Sequence, residues 1–260
     1  MTILGAIEVR RRTNLIGLEV YLASLYYYTP MAHMVLFNRS PEHKVLANLL
    51  ARYPVEVVDA QQFDLEHDIS HVEIEIARFL QYKAWLEEHP SSAFILTDVL
   101  DVVWQGNFIR ELSGLTIYQE NNRIGACPFN LRWVKEVWPT GYGSLLDRPI
   151  VCCGVLVGDA KSVHNYLMWY TQEVHRRGAH NLQRGFDSAV LNGLAYGVAP
   201  DCVSVTPYVN DECMHLGYAN STSVHCDDNG MVWCAKAHPM IVHQYNRHLD
   251  VMQSIYKKWT

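Results

Sequence analysis

The sequence has no long hydrophobic run. Nothing in its 260 residues approaches the roughly 20 consecutive apolar residues that cross a bilayer, so no transmembrane segment is expected. An excess of basic charge is also missing. Lys and Arg number 21 against 27 Asp and Glu, a formal charge of −6, whereas a nucleic-acid binder ordinarily presents a basic face. No secretory leader is legible. Arg10, Arg11 and Arg12 follow the short apolar stretch at the N-terminus, and a signal peptide places its charge before that stretch. There is no internal repeat, no low-complexity linker and no clear domain boundary, so one domain over residues 1–260 is expected.

Paired cysteine motifs are missing too. The seven cysteines are an odd number without the spacing of a disulfide framework. Cys152 and Cys153 are adjacent inside an apolar run, which reads as buried free thiols and a cytoplasmic, reducing setting. Cys213, His215, His225, Cys226, Cys234 and His238 crowd one stretch. No CxxC or HxxxH pair organises them, so they are not assigned as a zinc site.

Apolar residues make up 49% of the chain, enough for an ordinary core. They fall into alternating strand and helix patterns. A strand over Ile3 to Val9 is followed by a helix over Leu15 to Tyr27, capped by Asn14 and stopped by Pro30. Met34 to Phe37 reads as a strand, Ser40-Pro41 as the start of a helix to about Tyr53, and Val55 to Val58 as a third strand. Asp59 to His71 reads as a loop. A long helix over about Val72 to His89 precedes a buried strand at Ala93 to Thr97. Later strands are expected at Leu115 to Gln119, Ile150 to Val157, Val203 to Thr206, Met231 to Cys234 and Met240 to His243. Helices are expected from Asp159 to Arg176 and over Phe186 to Tyr196. Such alternation predicts a mainly parallel sheet with helices on both faces, whose ligands collect at the carboxyl ends of the strands.

The sharpest chemical signal stands at one such end. In Phe94-Ile-Leu-Thr-Asp98-Val-Leu-Asp101-Val-Val-Trp-Gln105 two carboxylates leave a buried strand three residues apart. Converging carboxylates in apolar surroundings suit Mg²⁺ or Mn²⁺; Asp98 and Asp101 bonding only turn amides is the alternative. The run resembles the metal-binding segment of the GT-A class of nucleotide-sugar glycosyltransferases, whose usual form is Asp-x-Asp after an apolar strand. Here the spacing is Asp-x-x-Asp. Asp101 matches the second Asp of that motif, while Asp98, displaced by one residue, is expected at the ribose as much as at the metal.

Three later segments carry the same resemblance. Ile150 to Gly158 is similar to the Asn-x-Gly-Val strand beside the donor sugar, which implies that Cys152 (in place of the Asn), Cys153 and Gly154 border the donor. Gly185-Phe-Asp187-Ser-Ala-Val-Leu-Asn192 resembles the Asp-Gln-x-x-Leu-Asn segment near the acceptor, with Ser188 replacing Gln. It makes Asp187 the candidate catalytic carboxylate, or else an N-cap or first-turn acid of the helix it opens. His243, on a C-terminal strand, matches the third metal ligand of retaining members. For the nucleotide, the resemblance points to Thr13 and Asn14 after the first strand, to Arg78 (on the diphosphate or paired with Asp98), and to Arg247.

The resemblance implies an α/β fold of GT-A type, with a mainly parallel sheet flanked by helices and a smaller antiparallel portion toward the C-terminus. It implies a nucleotide-binding half over about residues 1–110 and an acceptor-side half over about 111–260. The expected activity is Mn²⁺- or Mg²⁺-dependent transfer of a sugar, a hexosyl or pentosyl group, from a UDP- or GDP-sugar to a glycan, glycolipid or glycoprotein hydroxyl. The His243 match leans toward retention. Two other readings of the same residues are a metal-dependent phosphohydrolase and an inactive module that binds sugar nucleotides or glycans.

Overall fold

The computed structural model describes residues 1–11, 13–108, 111–198 and 203–260. Its first half alternates as the patterning requires: β1 (Thr2–Ile7), α1 (Leu15–Tyr28), β2 (His33–Asn38), α2 (Lys44–Leu50), β3 (Val55–Asp59), α3 (Ala60–Glu66), α4 (Ile74–Glu88), β4 (Ala93–Thr97) and β5 (Val102–Trp104). The second half continues with β6 (Leu115–Arg123), α5 (Pro128–Val137), β7 (Pro149–Asp159), α6 (Ala160–Arg177), α7 (Phe186–Gly193) and β8 (Val203–Thr206). It closes with β9 (Cys213–His215), β10 (Val224–Cys226), β11 (Val232–Cys234), β12 (Ile241–His243) and α8 (Leu249–Trp259).

Ten strands form one sheet in the order β3-β2-β1-β4-β7-β6-β9-β12-β5, with β8 pairing off this path on β6. Most neighbours are parallel; β7 runs antiparallel to both β4 and β6, and β5 antiparallel to β12. A separate antiparallel pair, β10 and β11, lies toward the C-terminus. Successive strand residues face opposite sides, and two layers of core follow. Leu4, Leu96 and Leu156 pack with Phe79 of α4 and Leu167 of α6, while Ile3, Ile95 and Val157 pack with Leu18 and Leu22 of α1. This is a GT-A-like α/β architecture with helices on both faces. No helix of the described residues is long and apolar enough to cross a membrane.

Local chemistry explains where elements start. Asn14 caps α1 by accepting from Ile16 N at 3.0 Å, and Asp159 caps α6 by accepting from Ser162 N at 2.9 Å, with Gly178 beyond the end. The second helix begins later than Ser40. The Ser40 hydroxyl is taken by Val9 N at 2.9 Å, and the His43 ring caps α2 instead, accepting from Leu46 N at 3.2 Å. The stretch expected as a loop over Asp59 to His71 contains α3, because Asp59 accepts from Gln61 N and Gln62 N and supplies a cap. The helix opened by Phe186 is regular to Gly193 and continues as a wider π turn over Leu194–Val198. β5, α5, β9, β10 and α8 were not anticipated from the sequence.

Candidate functional site

The ladder of the sheet builds the site one residue at a time. β4 is buried from Phe94 to Thr97, and the next residue, Asp98, extends its pairing with β7 by donating its amide to the Gly154 carbonyl at 2.8 Å. The chain then turns over Val99 and Leu100. A Cβ on Gly17 of α1 would lie 2.0 Å from the Leu100 carbonyl oxygen, so only glycine lets this turn seat on the helix. Asp101 follows, and β5 runs back along β12 with Val102 opposite His243. The Gln244 amide donates to the Asp101 carbonyl at 2.8 Å, which fixes Asp101 beside the His243 ring.

Asp98, Asp101 and His243 therefore come together. His243 Nε2 lies 3.2 Å from Asp98 Oδ2 and 3.3 Å from Asp101 Oδ1, and the three ligand atoms sit within 4.8 Å of one another. The imidazole forms the buried floor, 3% exposed, while Asp98 and Asp101 are 29% and 20% exposed and face outward. Burial opposes a charge on His243, but Asp101 and Asp98 overcome it and push its pKa up to about 10. In the ion-free protein the protonated ring thus supplies positive charge between two carboxylates. Two carboxylate oxygens and an imidazole nitrogen are a donor set that suits Mn²⁺ or Mg²⁺.

Arg78 lies behind Asp98. The α4 guanidinium is buried, makes a close ion pair with Asp98, approaches Asp187 Oδ2 at 3.7 Å, and donates to the Cys153 carbonyl at 3.4 Å. The pairing with Asp98 expected of it is made. Burial alone would raise the Asp98 pKa; Arg78 and His243 instead hold it well below the usual carboxylate range. Asp187 does not cap its helix: Gly185 occupies the N-cap position and no side chain caps there. Asp187 is buried in the first turn of α7. Burial pushes its pKa up to about 6, against the opposing pull of Arg78. It reaches the carboxylate cluster through Arg78 and not by direct contact.

Cys152 and Cys153 point to opposite faces of β7. The Cys153 side chain joins the core with Tyr166 and Phe79. Cys152 faces the other way, its Sγ 3.7 Å from His243 Nδ1. Gly154 is required by His243 itself, because a Cβ there would stand 2.0 Å from ring atom Cε1. At Gly154 a histidine of the same chain thus approaches the backbone closely. Thr13 and Asn14 have local duties: Thr13 Oγ1 accepts from Arg10 N at 2.8 Å, and Asn14 Nδ2 donates to the Tyr256 hydroxyl at 3.2 Å while its oxygen caps α1. Arg247 is exposed in the turn after β12.

Sequence reasoning set one group aside and missed another. His215 of β9 pairs across the sheet with His243, and its Nδ1 stands 2.8 Å from His243 Nδ1. Glu120, buried in β6, pairs with His215 in the backbone ladder and reaches the Cys152 thiol. The crowded Cys and His stretch does not gather into a site of its own. Among the described residues only His215 of that set joins a metal-capable cluster. The six described cysteines are free thiols; Cys202 lies outside the described residues.

No protein-family model matches the sequence, and no curated protein matches it closely enough to count as a relative. Among solved structures, the chain matches that of an active-site mutant of LgtC. The match covers 94% of this chain and 86% of that one, at 15% identity and a TM-score of 0.58. Likeness at this identity speaks for the fold alone, and the fold it supports is the GT-A-like one described above.

Proposed function

We propose that the chain is a metal-dependent glycosyltransferase that moves a sugar from a UDP- or GDP-sugar to a hydroxyl of a glycan, glycolipid or glycoprotein acceptor. The observation that carries this reading is the convergence of Asp98, Asp101 and His243 at the carboxyl end of β4. Its fold neighbour LgtC is a glycosyltransferase, which supports the general class. Mn²⁺ or Mg²⁺ held by these three residues would neutralise charge on the diphosphate leaving group.

The chain's own residues prepare that role. Arg78 keeps Asp98 ionised, so its oxygens remain available as ligands; it acts through Asp98 and positions it. Asp187 is the catalytic carboxylate of the proposal. In a transfer with retention, which the His243 match favours, it faces the positive charge that develops on the sugar. In an inverting transfer it would take the acceptor's proton, and a pKa of about 6 suits a base near neutral pH. Thr13 and Asn14 are assigned to the rim of the base pocket. Gly154 and its two neighbouring cysteines are assigned to the strand beside the donor, and Arg247 to a phosphate. The free thiols agree with a cytoplasmic protein.

Nucleotide release from a panel of UDP- and GDP-sugars, with and without Mn²⁺ and with and without acceptor glycans, tests the proposal. Mn²⁺-dependent release of UDP or GDP that requires an acceptor is the expected result. Release of inorganic phosphate would instead make the chain a phosphohydrolase. Binding without release would make it a sugar-nucleotide module.

A further inference from the structure

Four neighbouring strands bring buried polar side chains together, and the ligand atoms of three of them, Cys152, His215 and His243, lie within 4.8 Å of one another. In sheet order the four are Cys152 on β7, Glu120 on β6, His215 on β9 and His243 on β12. All four residues are buried, with exposures of 8%, 7%, 0% and 2%. Two imidazole Nδ1 atoms face each other there at 2.8 Å. Two lone pairs at that distance repel, so something positive lies between them. One Nδ1 proton would suffice for the histidines, with the buried Cys152 thiol and its Glu120 partner beside them. The other nitrogen of His215, Nε2, has no hydrogen-bond partner.

We propose that Cys152, His215 and His243, joined by Glu120, form an enclosed site for a thiophilic divalent ion, Zn²⁺, back to back with the Asp98–Asp101 cluster and sharing the His243 ring. A sulfur and two imidazole nitrogens are three donors of the kind that structural zinc uses, and the Glu120 carboxyl beside Cys152 would complete a tetrahedral set by moving toward the ion. The observed Sγ–Nδ1 separation of 3.7 Å is about that between ligands of one tetrahedral zinc ion, given Zn–S near 2.3 Å and Zn–N near 2.0–2.1 Å. The Nδ1 pair needs to open by only about half an ångström on the same bond lengths. Binding releases the Cys152 thiol proton and the Nδ1 proton of His243 to solvent. His243 keeps a proton on Nε2, aimed at Asp98 and Asp101, and a carboxylate that accepts from a zinc-bound histidine is the usual outer partner of such a ligand.

Sharing His243 couples the two sites, and the effect on transfer rests on the proposed function. One neutral imidazole cannot offer both nitrogens as ligands, so zinc in the inner site withdraws His243 from Mn²⁺ and inhibits transfer.

The test uses the full chain, stripped with a chelator and titrated with Co²⁺ as a spectroscopic stand-in for zinc. One equivalent should produce a thiolate-to-cobalt charge-transfer band and the intense visible bands of tetrahedral cobalt, both bleached by one equivalent of Zn²⁺. Cys152→Ser should abolish the charge-transfer band. His215→Gln should weaken zinc binding by more than the roughly 10–100-fold that loss of an outer partner costs. Asp101→Asn should keep the band and lose no more affinity than that range. A wild-type titration without the charge-transfer band overturns the site, whether or not any variant folds. So does a band that survives in Cys152→Ser. The cobalt spectrum is read without substrate, so the site stands or falls separately from sugar transfer.

Discussion

The two faces of β7 solve the same problem differently. On the Cys153 face, the half-buried Asp98 and the buried Asp187 share a guanidinium that is charged at every working pH. On the Cys152 face, Glu120, His215 and His243 meet a thiol, and every group there titrates. The first face is compensated by a permanent charge. The second is compensated by protons or by an ion. Fixed charge gives a rigid support for Asp98, while titratable groups leave a place where a cation can enter.

The largest predicted stability effect breaks the first face. Arg78→Met keeps most of the stem volume but leaves Asp98 and Asp187 without their cation, which should cost about 3–5 kcal/mol in denaturant unfolding at neutral pH. Adding Asp187→Asn to that variant should recover part of the loss. If Arg78→Met unfolds at the wild-type midpoint, the guanidinium is not what compensates these acids.

Gly154→Ala acts where the faces join. Its Cβ would meet the His243 ring at 2.0 Å, so the ring must move. A cost of about 1–3 kcal/mol is expected for overpacking of this kind, with a marked loss of Mn²⁺ affinity measured by calorimetry. Unchanged affinity would mean that His243 is not held in place as a ligand.

Asp187→Asn sharpens the comparison through pH. The folded protein holds a proton on Asp187 up to about pH 6, whereas an unfolded aspartate loses it near pH 3.9. Between those values the native state binds more protons, so wild-type stability falls as pH rises through about 4 to 6. The variant should lose that slope and gain roughly 1–3 kcal/mol at pH 7, as read from unfolding curves across pH. Its transfer rate should fall by roughly 10² while nucleotide still binds. A retained slope would place the titration elsewhere.

The smallest effect belongs to the second face. Glu120 is pushed above its ordinary pKa by burial, against the pull of Cys152, His243 and Arg247. Glu120→Gln keeps the side chain's volume and its capacity for hydrogen bonds, so in ion-free protein it should change stability by less than about 1 kcal/mol, far less than Arg78→Met. A loss as large as that of Arg78→Met would show that the second face also depends on fixed charge.

These differences also explain what could be read from the sequence. The strands β1, β2, β3 and β4 are five or six residues long, mostly apolar and bounded by capping residues or proline, so their order and the Asp98–Asp101 turn were legible. β5, β9 and β12 have three residues each, too few to display a period of two. β12 was found because an apolar run leads into His243, whereas His215 was lost in a stretch crowded with cysteine and histidine. Glu120 lies one residue past the apolar run over Leu115 to Gln119, where β6 leaves β8 and pairs with β9 instead. Nothing local marks that switch. Asp187 read equally as a cap because Gly185, the residue that takes the N-cap position, announces no side-chain bond.

In the proposed reaction Asp98, Asp101 and His243 together hold a divalent cation on which sugar transfer depends. Titrating chelator-stripped protein with Mn²⁺ and following the free-ion electron paramagnetic resonance signal tests it most directly, in wild type and in Asp101→Asn. Wild type should take up one Mn²⁺, more tightly when UDP or GDP is present, and Asp101→Asn should lose that uptake while remaining folded. Equal Mn²⁺ uptake by the two proteins would contradict the account.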